Sequence, residues 1–203
     1  MRTYRSANLN VLWFLIALNV LIFVITLLRP EDVINFLGLT PALLSQQPWT
    51  IISSMFVHGG LWHIIVNMIS LYFLGSFFIR AAGERSFLAV FFLGGLAGNI
   101  LYFVLGYLVL RGLLPPPFGD PFTPGIGASG AIFALAGALA VMVPRVPVLI
   151  IPIPVPVPLW VAILIFFFLS FLPGIAWQAH LGGLFLGLIA GLILKRRRQI
   201  YSL

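Results

Sequence analysis

The residues of this sequence whose types could do chemistry include a serine flanked by glycines and a histidine far along the chain. Ser129 lies in Gly127-Ala128-Ser129-Gly130, where small neighbours let other segments approach its Oγ. At a helix start, its backbone N–H would be one of the free amides that, with the helix dipole, favour negative charge. A serine in this position could act as a nucleophile next to an oxyanion site, and His180 is the candidate base.

A second polar group is predicted to lie on one helix face. His63 and Asn67 are four residues apart, so their side chains project from the same side of a helix. They could supply the oxyanion stabiliser that a serine nucleophile and its base still need. His58 lies five residues before His63 and off that face. Asn99 is a further polar residue inside an apolar run, and any of these residues alone would be explained by an interhelical hydrogen bond.

The acidic residues do not extend this group to a triad. Four acidic residues are present, and all are expected in loops away from the histidines: Glu31, Asp32, Glu84 and Asp120. We therefore expect a Ser–His dyad. The sequence also has no cysteine and no His-Glu-x-x-His motif, so no metal site is predicted.

The elements that must position these residues are membrane spans. Hydrophobic residues make up 62% of the 203 residues and charged residues 7%, against about a quarter charged in soluble domains. This composition excludes a soluble enzyme, a disordered chain and a large extramembrane domain. We predict an all-α polytopic membrane protein with a single domain over residues 1–203. Its six spans are expected at about 9–28, 61–79, 87–110, 129–143, 159–172 and 176–194.

The charges predict how these spans are oriented. The net charge of +7 could indicate nucleic-acid binding, but the positions of the cations favour membrane orientation instead, and no nucleic-acid partner is expected. Nine of the 11 Lys and Arg residues fall on the side of the two termini: Arg2, Arg5, Arg80, Arg85, Arg145, Lys195, Arg196, Arg197 and Arg198. Both termini are therefore predicted to be cytoplasmic, in a cell membrane. The second, fourth and sixth spans then begin at the outer face.

Three further segments give more specific expectations. The first apolar run is too long for a signal sequence and is followed by Arg29-Pro30-Glu31-Asp32, so we expect a retained anchor. The short fourth span, preceded by a proline-rich stretch, indicates a polar cavity that opens outward. The alternating prolines over residues 152–158 enforce an extended chain, either as a membrane-dipping loop or substrate surface, or as a stiff connector.

Close packing is expected to bring the dyad together. Gly183, Gly187 and Gly191 follow His180 at helical spacing and form a ridge of small residues on the sixth span. We expect this ridge to meet a face of the fourth span formed by Ser129, Phe133, Ala136 and Ala140, with Gly137 beside it.

Taken in chain order, these motifs resemble those of the rhomboid family of intramembrane serine proteases. The matching segments are His58-Gly-Gly-Leu-Trp-His63-Ile-Ile-Val-Asn67, Gly127-Ala128-Ser129-Gly130, and Ala179-His180-Leu181-Gly182-Gly183 with Gly187. The resemblance covers roughly residues 48–191. It implies a six-helix rhomboid-like bundle.

The resemblance also implies roles for the site residues. Ser129 would be the nucleophile and His180 the base, while His63 and Asn67 would form the oxyanion hole with the Ser129 amide. His58 would be a supporting residue. The family cleaves transmembrane helices of other membrane proteins near their outer end, without a cofactor. The expected partners are thus transmembrane protein substrates and the lipid bilayer, and no oligomeric state is indicated.

Three positions depart from the family pattern. Trp49 is followed by Thr50 where the family often has arginine, and Glu84-Arg85 is only a loose match to the family's acidic turn. Phe133 stands where the family often has a tyrosine that stacks on the histidine. A phenylalanine can stack there, but it has no hydroxyl.

Two other classes of function remain as alternatives. A non-catalytic rhomboid-like protein would bind client helices without cutting them, but such relatives typically lack the serine or the histidine, and both are present here. A small transporter or proton channel would use intramembrane histidines, but transporters usually show inverted repeats and broken helices at mid-membrane depth. No such repeat is evident in this sequence.

Overall fold

The computed structural model describes residues 8–149 and 155–200, with side chains as far as Arg196. Within those residues the helices are α1 (Asn10–Leu28), α2 (Pro30–Leu37), α3 (Thr50–Ser53), α4 (Leu61–Ala82), α5 (Glu84–Leu110), α6 (Ser129–Met142), α7 (Leu159–Leu169) and α8 (Trp177–Ile200). Short 3₁₀ turns cover Pro41–Leu43, Ser54–Phe56 and Pro116–Phe118. A two-residue antiparallel pair, β1 (Pro147–Val148) with β2 (Val157–Pro158), precedes α7.

The predicted fold class, an all-α polytopic membrane protein, is confirmed. The helices α1, α4, α5 and α8 are long and apolar enough to cross a membrane, and α6 and α7 are shorter apolar helices. The start of the proline-rich segment lies outside the described residues. Both interpretations of that segment therefore stay predictions.

Helix α6 lies at the centre of the bundle, with α8 and α5 packed against it. Nine of its fourteen residues are buried, and most of these are glycine or alanine. Small side chains let neighbouring backbones come close, which compensates in membranes for the missing hydrophobic driving force. The residue that begins this central helix is Ser129.

The predicted glycine ridge of α8 does meet α6, but its glycines lie against Gly130, Ala134 and Ala138 rather than against Ala136 and Ala140 of the expected face. A Cβ at Gly183 would collide with the carbonyl of Gly130, and one at Gly187 with the carbonyl of Ala134. A Cβ at Gly191 would lie 2.6 Å from the carbonyl oxygen of Ala138. These three positions of α6 carry small residues at i, i+4 and i+8, and Gly137, expected beside the contact face, also lies against the α8 backbone: a Cβ there would be 2.7 Å from the Leu184 carbonyl oxygen. We call this contact between the α8 glycines and the small residues of α6 the α6–α8 seam. The larger Phe133 lies beside it.

The segment after α1 is also more regular than predicted. The sequence predicts Glu31 and Asp32 in a loop, but both lie in helix α2, which begins at Pro30. Proline suits the first helical position, and Glu31 and Asp32 lie in the first turn, where the helix dipole favours negative charge. Trp49 anchors the far end of this region, because its Nε1–H donates to the Phe36 carbonyl at 2.7 Å.

The irregular chain before α6 is held by hydrogen bonds to three other parts of the bundle. Leu39 and Gly125 exchange backbone hydrogen bonds at 3.0 and 2.9 Å. The hydroxyl of Tyr102 in α5 donates to the Thr123 carbonyl at 2.8 Å. The amide of Gln178 in α8 donates to the Phe118 carbonyl at 3.0 Å. These contacts fix the non-helical segment that leads into Ser129.

Candidate active site

The turn before α6 places Ser129 at an uncapped helix start. Gly127 has φ +118°, a region that side chains rarely adopt, and its N–H donates to the Ser54 carbonyl at 2.9 Å. Ala128 is the N-cap residue, and no side chain of the described residues caps this end. The first N–H groups of α6, including that of Ser129, therefore have no partner within the helix.

His180 lies one turn into α8 and meets Ser129 directly. Its Nε2 is 2.7 Å from Ser129 Oγ. Close helix packing makes this distance possible, because a Cβ at Gly130 would lie 3.2 Å from the carbonyl of Ala179, next to His180. His180 is buried and Ser129 is partly buried. The two residues that the sequence singled out as nucleophile and base are thus within hydrogen-bond distance.

The other sides of the His180 ring are also occupied. Phe133 stacks on it, with ring centroids 4.4 Å apart and an angle of 24° between the planes. Ser170 Oγ lies 2.7 Å from His180 Nδ1. The sequence motifs do not include Ser170, although it is the only residue with a hydroxyl group in the predicted span 159–172. That position, near the predicted outer end of the span, was the available signal.

His63 borders the space next to the nucleophile. A Cβ at Gly127 would lie 2.7 Å from His63 Nε2 and 3.8 Å from Ser129 Oγ, so the ring and the hydroxyl flank the same glycine. Asn67 is buried one turn further along α4, and its Nδ2 donates to the His63 carbonyl at 2.8 Å. An amide has a second N–H, which this bond leaves available.

His58 lies before the start of α4, with its ring next to that of His63. It is fully buried in the loop before α4, with its ring edge-on to that of His63 at a centroid distance of 4.9 Å. Burial, with a smaller contribution from His63, lowers the pKa of His58 from 6.5 to about 3. A histidine in this position is neutral at physiological pH.

Asn99 is not brought into the site, but it supports the turn that precedes Ser129. Its Nδ2 donates to the Ile51 carbonyl at 2.8 Å and to Ser54 Oγ at 2.9 Å. Ser54 in turn accepts the N–H of Gly127. Asn99 of α5 therefore holds in place the segment around Ser54, to which Gly127 is hydrogen-bonded.

Comparisons with known proteins identify a family whose sequences resemble this chain over most of its length. The family model described as "Rhomboid domain" matches residues 45–197. The chain is 27% identical over 159 residues to "Rhomboid protein 1, mitochondrial" of Saccharomyces cerevisiae, covering 70% of this chain and 40% of that protein. It is 37% identical over 91 residues to "RHOMBOID-like protein 12, mitochondrial" of Arabidopsis thaliana, covering 42% and 27%.

A bacterial protein named as a protease is also similar. The chain is 26% identical over 142 residues to "Rhomboid protease GluP" of Bacillus subtilis, covering 67% of this chain and 25% of that protein. In each of these three comparisons the chain spans less than half of the relative's length. The family model matches well over half of this chain, and with it we conclude that the chain belongs to the rhomboid family.

Proposed function

We propose that this chain is an intramembrane serine endopeptidase that cuts transmembrane segments of other membrane proteins near their outer end. The observation that supports this most strongly is the 2.7 Å contact between Ser129 Oγ and His180 Nε2 inside an apolar bundle. The membership of the rhomboid family, with relatives named as proteases, supports the same reaction.

The chemistry follows the general scheme for a serine nucleophile. His180 Nε2 takes the Ser129 hydroxyl proton as Oγ forms a bond to the substrate carbonyl carbon, whose oxygen becomes an oxyanion. The protonated imidazole then gives that proton to the leaving amine as the C–N bond breaks. A water molecule, activated by the same imidazole, releases the acyl group and restores Ser129.

The developing oxyanion has candidate donors around the α6 start. The Ser129 N–H has no partner within the helix. His63 Nε2 lies close to Gly127, next to the Ser129 hydroxyl. The free N–H of Asn67 is a third candidate, one turn deeper. Donors fixed in a water-poor site stabilise a transition-state oxyanion more than they would in water.

The test is cleavage of fluorescent single-span transmembrane peptides by the purified full chain in lipid vesicles. The wild type should cleave at least one peptide of a varied panel, and Ser129→Ala and His180→Ala should cleave none. A chelator should leave the rate unchanged, because the proposed mechanism uses no metal. Equal cleavage by Ser129→Ala and the wild type would contradict the proposal, and a chelator-sensitive activity restored by zinc would favour a metalloprotease.

A further inference from the structure

Ser170 is the C-terminal cap residue of α7 and is only 2% exposed. Its Oγ has two polar neighbours, Nδ1 of His180 at 2.7 Å and the carbonyl oxygen of Phe166 at 3.1 Å. The backbone N–H of Ser170 donates to the Phe167 carbonyl at 3.0 Å instead of to Phe166, so the last turn of α7 tightens. The Phe166 carbonyl is left to accept from the Ser170 hydroxyl.

The direction of the Ser170 hydroxyl proton decides which tautomer of His180 this arrangement favours. A carbonyl oxygen can only accept, and a serine hydroxyl has a single proton to donate. When that proton points to Phe166, Ser170 Oγ must accept from Nδ1–H of His180. The Nε2 atom is then unprotonated, and its lone pair faces the hydroxyl of Ser129 2.7 Å away. This is the tautomer that a general base requires.

We propose that Ser170 is a positioning residue that holds His180 in its reactive tautomer and orientation. The inference rests on the proposed protease function, for which His180 is the base. Phe133 fixes the plane of the imidazole by stacking, and Ser170 fixes its rotation within that plane from the side opposite Ser129. A serine at the end of α7 thus takes the position that a carboxylate occupies in a serine–histidine–aspartate triad.

The sharpest test compares two residues of nearly equal size at position 170. Ser170→Thr keeps the hydroxyl, whereas Ser170→Val replaces it with a methyl group, and both add the same bulk to the buried site. The readout is the rate at which a fluorophosphonate, which phosphonylates an activated serine, labels Ser129. Labelling of Ser170→Val should be about tenfold slower than that of Ser170→Thr, the rate equivalent of one neutral hydrogen bond. Equal rates would overturn the proposal.

Ser170→Ala and a matched control separate positioning from packing. Ser76 is also a buried helical serine, and its Oγ donates to the Phe73 carbonyl at 3.1 Å in α4. Ser76→Ala should label as fast as the wild type, while Ser170→Ala should label about tenfold more slowly. Wild-type labelling by Ser170→Ala, or equal slowing in both variants, would contradict a specific role for Ser170.

A spectroscopic readout does not depend on activity. With only three histidines in the chain, ¹⁵N-imidazole NMR of the full protein in detergent can be assigned by the signals lost in His180→Ala. We expect Nδ1 of His180 to be protonated in the wild type and the tautomers to mix in Ser170→Val. Protonation on Nε2 in the wild type would overturn the inference even if Ser129 is labelled. Absence of Ser129 labelling with Nδ1 protonated would instead refute the protease function alone.

Discussion

At the scale of single residues, His180 is contacted on three sides by groups with different effects. Ser129 and Ser170 lie at its two nitrogens, and Phe133 covers one face of the ring. As the proposed base, an imidazole held in this way needs little rearrangement before it accepts a proton, which is the condition for efficient general-base catalysis. The residues on α4 are proposed to act in the other half of the reaction, by stabilising the negative charge that develops on the substrate carbonyl oxygen.

The first prediction concerns that charge. Asn67→Ala should lower kcat by about 10²–10³-fold with little change in KM, since an oxyanion donor acts chiefly in the transition state. Thermal stability must be measured together with the kinetics, because Asn67 Nδ2 also bonds the His63 carbonyl within α4. A large loss of stability with near-normal kcat in the surviving protein would show that Asn67 has only a structural role.

The second prediction concerns the pH dependence of stability through His58. Because burial lowers its pKa to about 3, the folded chain leaves His58 neutral, whereas the unfolded chain protonates it below about pH 6.5. The unfolded state then binds more protons, so stability should fall as the pH drops from 6.5 towards 3. Melting temperatures of the wild type should decline over this range. Those of His58→Gln should decline less, and parallel curves would argue against a buried neutral histidine.

At the scale of elements, the site depends on how closely α8 approaches α6. The glycines of α8 lie against backbone carbonyls of α6, so there is no room for a methyl group between the two helices. Such a seam sets the distance from His180 to Ser129, because each residue lies near the N-terminal end of its helix. A small change in the distance between α6 and α8 therefore changes the distance between Ser129 Oγ and His180 Nε2.

The third prediction tests this seam. In Gly187→Ala the added Cβ meets the Ala134 carbonyl, and overpacking of this kind typically costs about 1–3 kcal/mol. Alanine's helix propensity alone would stabilise α8 by up to ~1 kcal/mol, so a lower melting temperature reports packing. The rate of peptide cleavage should fall together with the melting temperature. Ile189→Phe, which adds volume at an exposed position of α8, is the control and should behave like the wild type. Unchanged stability in Gly187→Ala would contradict a tight seam.

The elements also show what could be predicted from the sequence. Ser129 and His180 could be paired in advance because glycine ridges and motif order constrain which spans meet. The exact partners of the glycines on α6 could not be predicted, since alanines lie at 136 and 140 as well as at 134 and 138. Only Phe133 in the expected stripe is too large for a close backbone contact. The contact between Ser170 and His180 could not be predicted, because a lone serine has no periodic pattern. Its contact with His180 arises only when α7 ends in a tightened turn beside α8.

At the scale of the whole molecule, the candidate site residues lie at one end of the bundle. Ser129 and His180 lie near the beginnings of α6 and α8, and His63 near the beginning of α4. The positive-inside bias of the sequence predicts that this end faces outward. An outward site would give the proposed protease access to the outer ends of its substrates.

The fourth prediction tests this orientation. The chain has no cysteine, so single cysteines can be introduced at exposed positions of opposite ends, such as Phe122→Cys and Arg145→Cys. Added outside intact cells, an impermeant thiol reagent should label Phe122→Cys and leave Arg145→Cys unlabelled until the cells are opened. The reverse pattern would place the site on the cytoplasmic side.

The most direct measurement is the mapping of a fluorophosphonate adduct on the detergent-solubilised chain by mass spectrometry of its peptides. An activated nucleophile beside a neutral imidazole should place the adduct on Ser129. The label should be absent from Ser129→Ala and strongly reduced in His180→Ala, because the nearby Nε2 removes the hydroxyl proton. Equal labelling of the wild type and Ser129→Ala, or an adduct on another serine, would contradict the proposal that Ser129 and His180 form a catalytic dyad.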